Sequence, residues 1–149
     1  MSTYSETIGS KLNDLLEKTY DAEKGFKKAA ENTEHYNLKA FFERKAQERY
    51  NFGHELKSEI QSFGQNVDSG DSMAGKAHRT WMDIKALFSS DNEESMLEEA
   101  IRGEKASVEE YEDVLNETAL PPSTANLLMK QKNTIEGGLA TIKRLEDLN

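Results

Sequence analysis

The stretch that decides the fold is residues 8–31, IGSKLNDLLEKTYDAEKGFKKAAE. Its apolar residues recur every three or four positions over about six turns, which is the spacing of one face of an α-helix. This stripe consists of Ile8, Leu12, Leu16, Thr19, Phe26 and Ala30. The pattern predicts a helix that begins near Ser5 or Ser10, ends at Glu31 and buries one face.

A second helix of about 27 residues is predicted after the polar turn at residues 32–37, because the same periodicity resumes there. Its stripe consists of Leu38, Phe42, Leu56, Ile60 and Phe63, and Gly64 ends it. A short connection between two long helices makes them antiparallel. We therefore expect the first part of the chain to form a helical hairpin.

The second half of the chain predicts another hairpin. One helix opens near Asp91, where Glu94 follows at the spacing of a capping box, and it ends before Pro121 and Pro122. The last helix carries a stripe of Leu128, Ile135, Leu139, Ile142 and Leu145. Two hairpins of this kind predict a single all-α domain over residues 1–149.

A shorter helix is predicted between the hairpins, over residues 73–88, after a polar loop at residues 65–70. At 1.5 Å per residue it would be about 24 Å long, enough to return the chain to its starting end. The second and third long helices would then run parallel. The sequence therefore predicts a ferritin-like four-helix bundle with an additional crossover helix.

Composition excludes several classes of function. The chain of 149 residues has no cysteine, so thiol catalysis and zinc–thiolate sites are excluded. Its net charge of −9 repels phosphate backbones and anionic membranes, and we expect neither nucleic acid nor membrane as a partner. The N-terminal residues lack the pattern of a signal peptide, which predicts a cytoplasmic location.

Each long helix carries one polar residue on its apolar stripe, and these four residues are the candidate site. They are Glu23, Arg49, Glu104 and Gln131. Unpaired buried charges are very costly, so these side chains are expected to meet one another, a metal ion or water. The centre of the bundle is therefore predicted to be polar.

Two interpretations of this polar centre remain open. Di-iron carboxylate bundles use Glu-x-x-His on two helices, but no acidic residue precedes any histidine here by three positions. Arg49 stands where a ligand glutamate is expected, which favours a hydrogen-bonded network centred on Arg49, without metal or other cofactor. The alternative is an iron or manganese site, in an oxidase or a metal-storage protein, with the ligands Glu23, Glu48, Glu104 and Gln131.

The sequence also resembles a known family. The resemblance rests on LNDLLEKTYDAEKGFKKAAE, FFERKAQERYNFGHEL, GDSMAGKAHRTWMDIKAL and EEAIRGEKASVEEYEDVL, followed by LPP. These phrases resemble the bacterial four-helix-bundle family of unknown function within the ferritin-like superfamily. The resemblance implies a ferritin-like bundle from bacteria with no established enzymatic activity and a link to stress responses. We therefore expect a non-enzymatic structural or interaction protein.

Two surfaces are candidates for contacts. His78, Arg79 and Trp81 could form a recognition patch on the crossover helix, although Trp81 shares the stripe of that helix, which favours packing against the bundle. The first two helices carry additional aromatic residues outside their stripes, namely Tyr20, Tyr36, Phe41 and Tyr50. Exposed aromatic residues favour a two-fold contact, so we predict a homodimer.

Overall fold

The computed structural model describes residues 3–67, 93–117 and 119–148. It contains four long helices, which are α1 (Tyr4–Glu31), α2 (Tyr36–Ser62), α3 (Glu93–Glu117) and α4 (Pro122–Thr141). A 3₁₀ helix, η1, covers Leu145–Leu148. No strand occurs in these ranges, so the predicted all-α fold is confirmed for them. The predicted crossover helix, with His78, Arg79 and Trp81, lies outside the described residues.

The starts of α1 and α2 are capped by side chains. Thr3 and Glu6 form a capping box, in which each side chain accepts the other residue's backbone N–H at 3.1 Å. Helix α2 is capped by His35, whose Nδ1 accepts the backbone N–H of Leu38 at 3.1 Å. At the other end of α2, Gly64 adopts φ +71°, a conformation that glycine tolerates and other residues rarely adopt.

Contacts between α1 and α3 fix their relative direction. The hydroxyl of Tyr4 donates to the carbonyl of Ala119 at 2.8 Å, just beyond the end of α3. Further along α1, the ammonium of Lys18 lies 2.7 Å from the carboxylate of Glu110. As the residue number rises in α1 it falls in α3, so these helices are antiparallel.

Helices α2 and α4 are also antiparallel. The hydroxyl of Thr124, early in α4, donates to Glu59, late in α2. The amide of Gln131 donates to Glu55, one turn earlier in α2, at 2.9 Å.

Helix α1 is also antiparallel to α2, since Phe26 packs against Phe42 while Asn13, earlier in α1, donates to the carbonyl of Asn66, just beyond α2. Helices α2 and α3 therefore run parallel to each other. The end of α2 and the start of α3 therefore lie at opposite ends of the assembly.

Among the described residues, the core consists of two apolar clusters. One includes Phe26, Phe42 and Leu97 near the turn between α1 and α2, and the other includes Leu12 and Leu56 near the opposite end. These side chains are fully buried, and each such burial contributes about 1.5–3 kcal/mol. Between the two clusters lie buried polar side chains, namely Thr19, Arg49, Glu104 and Ser107. The candidate site therefore occupies the middle of the core.

The four aromatic residues predicted outside the core differ in exposure. Tyr36 and Tyr50 are exposed and Tyr20 is half-buried. The prediction is wrong for Phe41, which is buried and packs its ring against Phe42 with the centroids 5.6 Å apart. It belongs to the apolar cluster near the turn between α1 and α2.

The last helix ends earlier than its apolar stripe predicts. Helix α4 stops at Thr141, and Ile142 is extended, with φ −118° and ψ 103°. The carboxylate of Asp147 accepts the backbone N–H groups of Lys143 at 2.9 Å and Arg144 at 3.1 Å, and these bonds lower the pKa of Asp147. The carboxylate thus satisfies backbone groups that a continued helix would have paired internally.

None of the helices in the described ranges combines the length and the apolar character needed to cross a membrane.

Candidate functional site

Arg49 lies at the centre of the candidate site and is only 2% exposed. Its Nη2 donates to Oε1 of Glu104, so its guanidinium crosses the core from α2 to α3. The same nitrogen lies 3.5 Å from the hydroxyl of Ser107, one turn further along α3. The rings of Phe26 and Phe52 lie on either side, each with its centroid 5.7 Å from the guanidinium carbon.

A second cation, Lys45, lies one turn before Arg49 on α2. Its ammonium is 3.0 Å from Oε2 of Glu48 and 3.5 Å from Oε2 of Glu104. Arg49 also contacts Glu48, with Nη1 3.6 Å from Oε1. Lys45, Glu48, Arg49 and Glu104 therefore form a closed group of two cations and two carboxylates, which we call the charge cluster. Its formal charge is zero.

The charge cluster is held by charge attraction more than by complete hydrogen bonding. Three of its buried atoms make no hydrogen bond to any part of the chain that the structure describes, namely Nη1 of Arg49, Oε1 of Glu48 and Oε2 of Glu104. Each of them lies 3.5 or 3.6 Å from an atom of opposite charge in the cluster. Because removal of one partner would leave a buried charge uncompensated, all four residues depend on one another.

Helix α4 closes the charge cluster on the side of Lys45. A Cβ atom added to Gly138 would lie 2.9 Å from Nζ of Lys45, closer than real contacts allow. Gly138 therefore lets the backbone of α4 approach the ammonium. The ring of Phe41 lies 6.0 Å from the same Nζ. The Lys45 side chain is consequently only 13% exposed.

Gln131 belongs to a second polar group, which neighbours the charge cluster. Its Oε1 accepts the hydroxyl of Tyr111 at 2.5 Å, and its Nε2 donates to Glu55 at 2.9 Å. Burial raises the pKa of Tyr111 far above its ordinary range, although nearby Arg49 and a hydrogen bond with Thr19 act in the opposite direction. Gln131 thus joins α2, α3 and α4 through Tyr111 and Glu55 and makes no hydrogen bond to Glu104.

Glu23 lies apart from both polar groups, so the predicted contact between Glu23 and Arg49 is not formed. Its carboxylate pairs with Lys27, one turn along α1, at 2.8 Å. Both side chains line a groove on the outer side of the α1–α2 hairpin, together with Tyr50. The rotation of α1 turns Glu23 toward this groove, whereas Arg49 points into the core.

The four residues of the alternative metal site are therefore not gathered around one point. Glu48 and Glu104 share Lys45 and Arg49, while Glu23 and Gln131 have other partners. Across the described ranges, no group of three or more histidine, aspartate or glutamate residues has the arrangement of a metal site.

Most of the chain, including the charge cluster, matches a known family model. The model of a family described as a domain of unknown function, DUF2383, matches residues 7–117, about three quarters of the chain. The chain belongs to this family. The DUF2383 region includes all four residues of the charge cluster and ends before α4, which supplies Gly138 and Gln131. No curated protein matches the chain significantly.

A further carboxylate of the DUF2383 region, Glu110, lies on α3 near the charge cluster. Burial raises the pKa of Glu110, and the contacts with Lys18 and the positive charge of Arg49 oppose this effect without cancelling it. The positive charge of Arg49 therefore acts beyond its direct partners.

Sequence reasoning missed Lys45 as a member of the site. A signal for it exists, because Phe42, Lys45, Arg49 and Phe52 follow one another at the 3-4-3 spacing of a buried helix face. A lysine on such a face is normally expected to place its ammonium in solvent, since its long side chain can extend outward.

Proposed function

We propose that this chain is a non-enzymatic protein of the bacterial cytoplasm with a structural or interaction role in stress. In this proposal its helices have the ferritin-like arrangement, and the charge cluster stands where a ferritin-like oxidase would hold two metal ions. The protein acts as a homodimer and binds neither nucleic acid nor membranes, since its net charge of −9 repels both.

The observation that carries this proposal is the internal charge balance of the cluster. Lys45 and Arg49 each contact both carboxylates, Glu48 and Glu104. Two side-chain cations therefore supply the positive charge that two buried carboxylates need. Since arginine stays protonated at any physiological pH, this part of the balance is permanent.

The direction of the helices supports the ferritin-like arrangement. Helices α2 and α3 run parallel to each other, as the antiparallel contacts of each with α1 require. Bundles with one long crossover connection have this topology. The match to a family of unknown function is compatible with the proposal and adds no activity to it.

Metal analysis of the full chain tests the proposal against its rival, a carboxylate-bridged iron or manganese protein. The chain is purified without chelator, incubated with Fe²⁺ or Mn²⁺ and desalted, and its metal content is measured. We expect well below one equivalent per chain. Glu104→Gln, which keeps the volume of the side chain, should give the same value, as should Glu109→Gln at an exposed position of the same helix.

The rival predicts a different pattern. Two equivalents of iron or manganese in the wild-type chain, retained in Glu109→Gln and lost in Glu104→Gln, would overturn the non-enzymatic proposal. Thermal melts of both variants show whether each one is folded at the temperature of the metal assay.

A further inference from the structure

The outer side of the α1–α2 hairpin carries exposed aromatic residues in a regular row. Tyr36 is 83% exposed and Tyr50 is 48% exposed. They lie fourteen residues apart on α2, with exposed Glu43 midway between them, so the three repeat every seven residues. A seven-residue repeat keeps side chains on one line of a helix that packs against another helix at a small angle.

A groove runs beside this row, between α1 and α2. Its volume is about 500 Å³. Its floor includes Ala30 and Ala46, which are buried and too small to fill the space between the helices. Tyr50 stands at one end of the groove. Small floor residues beside a large exposed ring provide both the depression and the projection that a symmetric contact needs.

Charges of both signs line the rims of the groove. Lys27 and Lys39 alternate with Glu23, Glu31 and Glu43. A strongly basic partner would be repelled by the two lysines, and a strongly acidic partner would be repelled by the three glutamates. A second copy rotated about a two-fold axis can instead set the lysines of one chain against the glutamates of the other. The local balance therefore favours self-association, although the whole chain carries a net charge of −9.

The face is close in size to one side of a standard protein interface. The seven-residue spacing continues from Tyr50 to half-buried Lys57, so the face covers 22 residues of α2 from Tyr36 onward, which is about 33 Å of helix, and two helices side by side are about 20 Å wide. The product, roughly 660 Å², approaches the area of about 800 Å² that each partner buries in a standard interface.

We infer that the chain dimerises through this outer face of the α1–α2 hairpin, so that the occupant of the groove is the same groove of a second copy. This inference rests on the homodimer included in the proposed function and names its surface. Tyr36 and Tyr50 then act as the anchors, because tyrosine contributes strongly to binding when its ring is desolvated.

The test measures the mass of the full chain by light scattering and sedimentation from nanomolar to micromolar concentration. The wild type should be a dimer at micromolar concentration. Tyr50→Glu should raise the dissociation constant by at least about 30-fold, the effect of losing an anchor residue. Met129→Glu is the matched control, because Met129 is 47% exposed, belongs to α4 and does not line the groove, so its substitution should leave the constant unchanged.

Cysteine cross-linking supplies a second readout that does not depend on weakening the dimer. The natural chain has no cysteine, so a single introduced thiol reports one position. Gln47→Cys, on the rim of the groove, should form a disulfide-linked dimer on mild oxidation, and Met129→Cys should not.

The possible outcomes distinguish an error in the inferred surface from an error in the homodimer itself. A dimer that Tyr50→Glu does not weaken and that Gln47→Cys does not cross-link would overturn the inferred surface and leave the homodimer standing. A monomer at every concentration would overturn both, without bearing on the metal analysis that tests the non-enzymatic role. A dimer cross-linked through Met129→Cys would assign the contact to α4.

Discussion

Lys45 and Arg49, one turn apart on α2, contact the same two carboxylates. The ammonium of Lys45 lies against Oε2 of both Glu48 and Glu104, and the guanidinium of Arg49 lies against Oε1 of both. Each carboxylate therefore offers one oxygen to each cation. This division makes the four residues interdependent, because no substitution of one residue leaves the other three balanced.

Loss of the guanidinium should destabilise the fold strongly. Arg49→Met keeps an unbranched apolar stem but leaves Glu48 and Glu104 with Lys45 as their only cation in the cluster. We expect the free energy of unfolding to fall by about 3–5 kcal/mol, the usual cost of breaking a buried ion pair. Urea unfolding at neutral pH measures the change.

Arg102→Met is the matched control for Arg49→Met. The Arg102 side chain is 60% exposed and pairs with Glu99 on the same helix. Its loss should change the free energy of unfolding by no more than about 0.5 kcal/mol. If the two substitutions lowered the free energy of unfolding equally, the buried ion pairs of Arg49 would stabilise the fold no more than an exposed pair does.

The paired glycines of α4 allow a test of the contact between this helix and Lys45. Gly137→Ala places its methyl group in open space, so it should stabilise the helix by about 0.5–1 kcal/mol. Gly138→Ala has the same gain in helix propensity but forces Nζ of Lys45 out of its position. Because Nζ is the end of a flexible side chain, the cost is the loss of its contacts with Glu48 and Glu104, and we expect Gly138→Ala to be less stable than Gly137→Ala by about 1 kcal/mol.

A second substitution identifies the cause of that difference. In the Lys45→Met background the ammonium is absent, so the two glycine substitutions should differ by much less. A difference of unchanged size in that background would mean that Gly138 is constrained by something other than Lys45. Thermal melts of the four variants provide the comparison.

Glu110 should make stability depend on pH in an unusual direction for a carboxylate. Burial raises its pKa in the folded chain, against the attraction of Lys18. Between the unfolded pKa and this raised value the folded state binds more protons than the unfolded state, so stability rises as pH falls through this window. Glu110→Gln removes this contribution.

The measurement compares melting temperatures of the wild type and Glu110→Gln from pH 7 to pH 4. The wild type should gain stability relative to the variant as pH falls toward the ordinary glutamate pKa of about 4.5. Glu109→Gln, at the exposed neighbouring position, should follow the wild-type curve. Parallel curves for all three proteins would show that ionised Glu110 carries no net cost in the fold.

The helical spacing identifies three of the buried polar residues. Arg49, Glu104 and Gln131 lie on apolar stripes in the sequence, and each is at most 3% exposed in the structure. Spacing identifies these buried residues because the 3.6-residue period of a helix determines which side chains share a face. The same argument located Gly64 at the end of α2, where only a residue tolerant of positive φ fits well.

The partners of these residues could not be predicted in the same way. Helix periodicity fixes neither the rotation of one helix against another nor their axial offset. Glu23 pairs with Lys27 on its own helix, and Gln131 accepts a hydrogen bond from Tyr111, although its position along the bundle is equally compatible with a contact to Glu104. The cap of α2 was missed for a different reason, because histidine is not among the common N-cap residues.

The hydrogen bond between Tyr111 and Gln131 provides the last prediction. Tyr111→Phe keeps the ring and leaves Oε1 of buried Gln131 without its donor, which should cost about 1–3 kcal/mol. Tyr36→Phe, at a position that is 83% exposed in the single chain, should change stability by no more than about 0.5 kcal/mol when measured below the dissociation constant of the dimer. Because burial raises the pKa of Tyr111, the folded chain resists its ionisation, and stability should fall as pH rises above about 10, where unfolded tyrosine loses its proton. Ultraviolet titration of the wild type should therefore show one of its five tyrosines ionising only as the chain unfolds. In Tyr111→Phe that late step should be absent, and its persistence would mean that another tyrosine is the protected one.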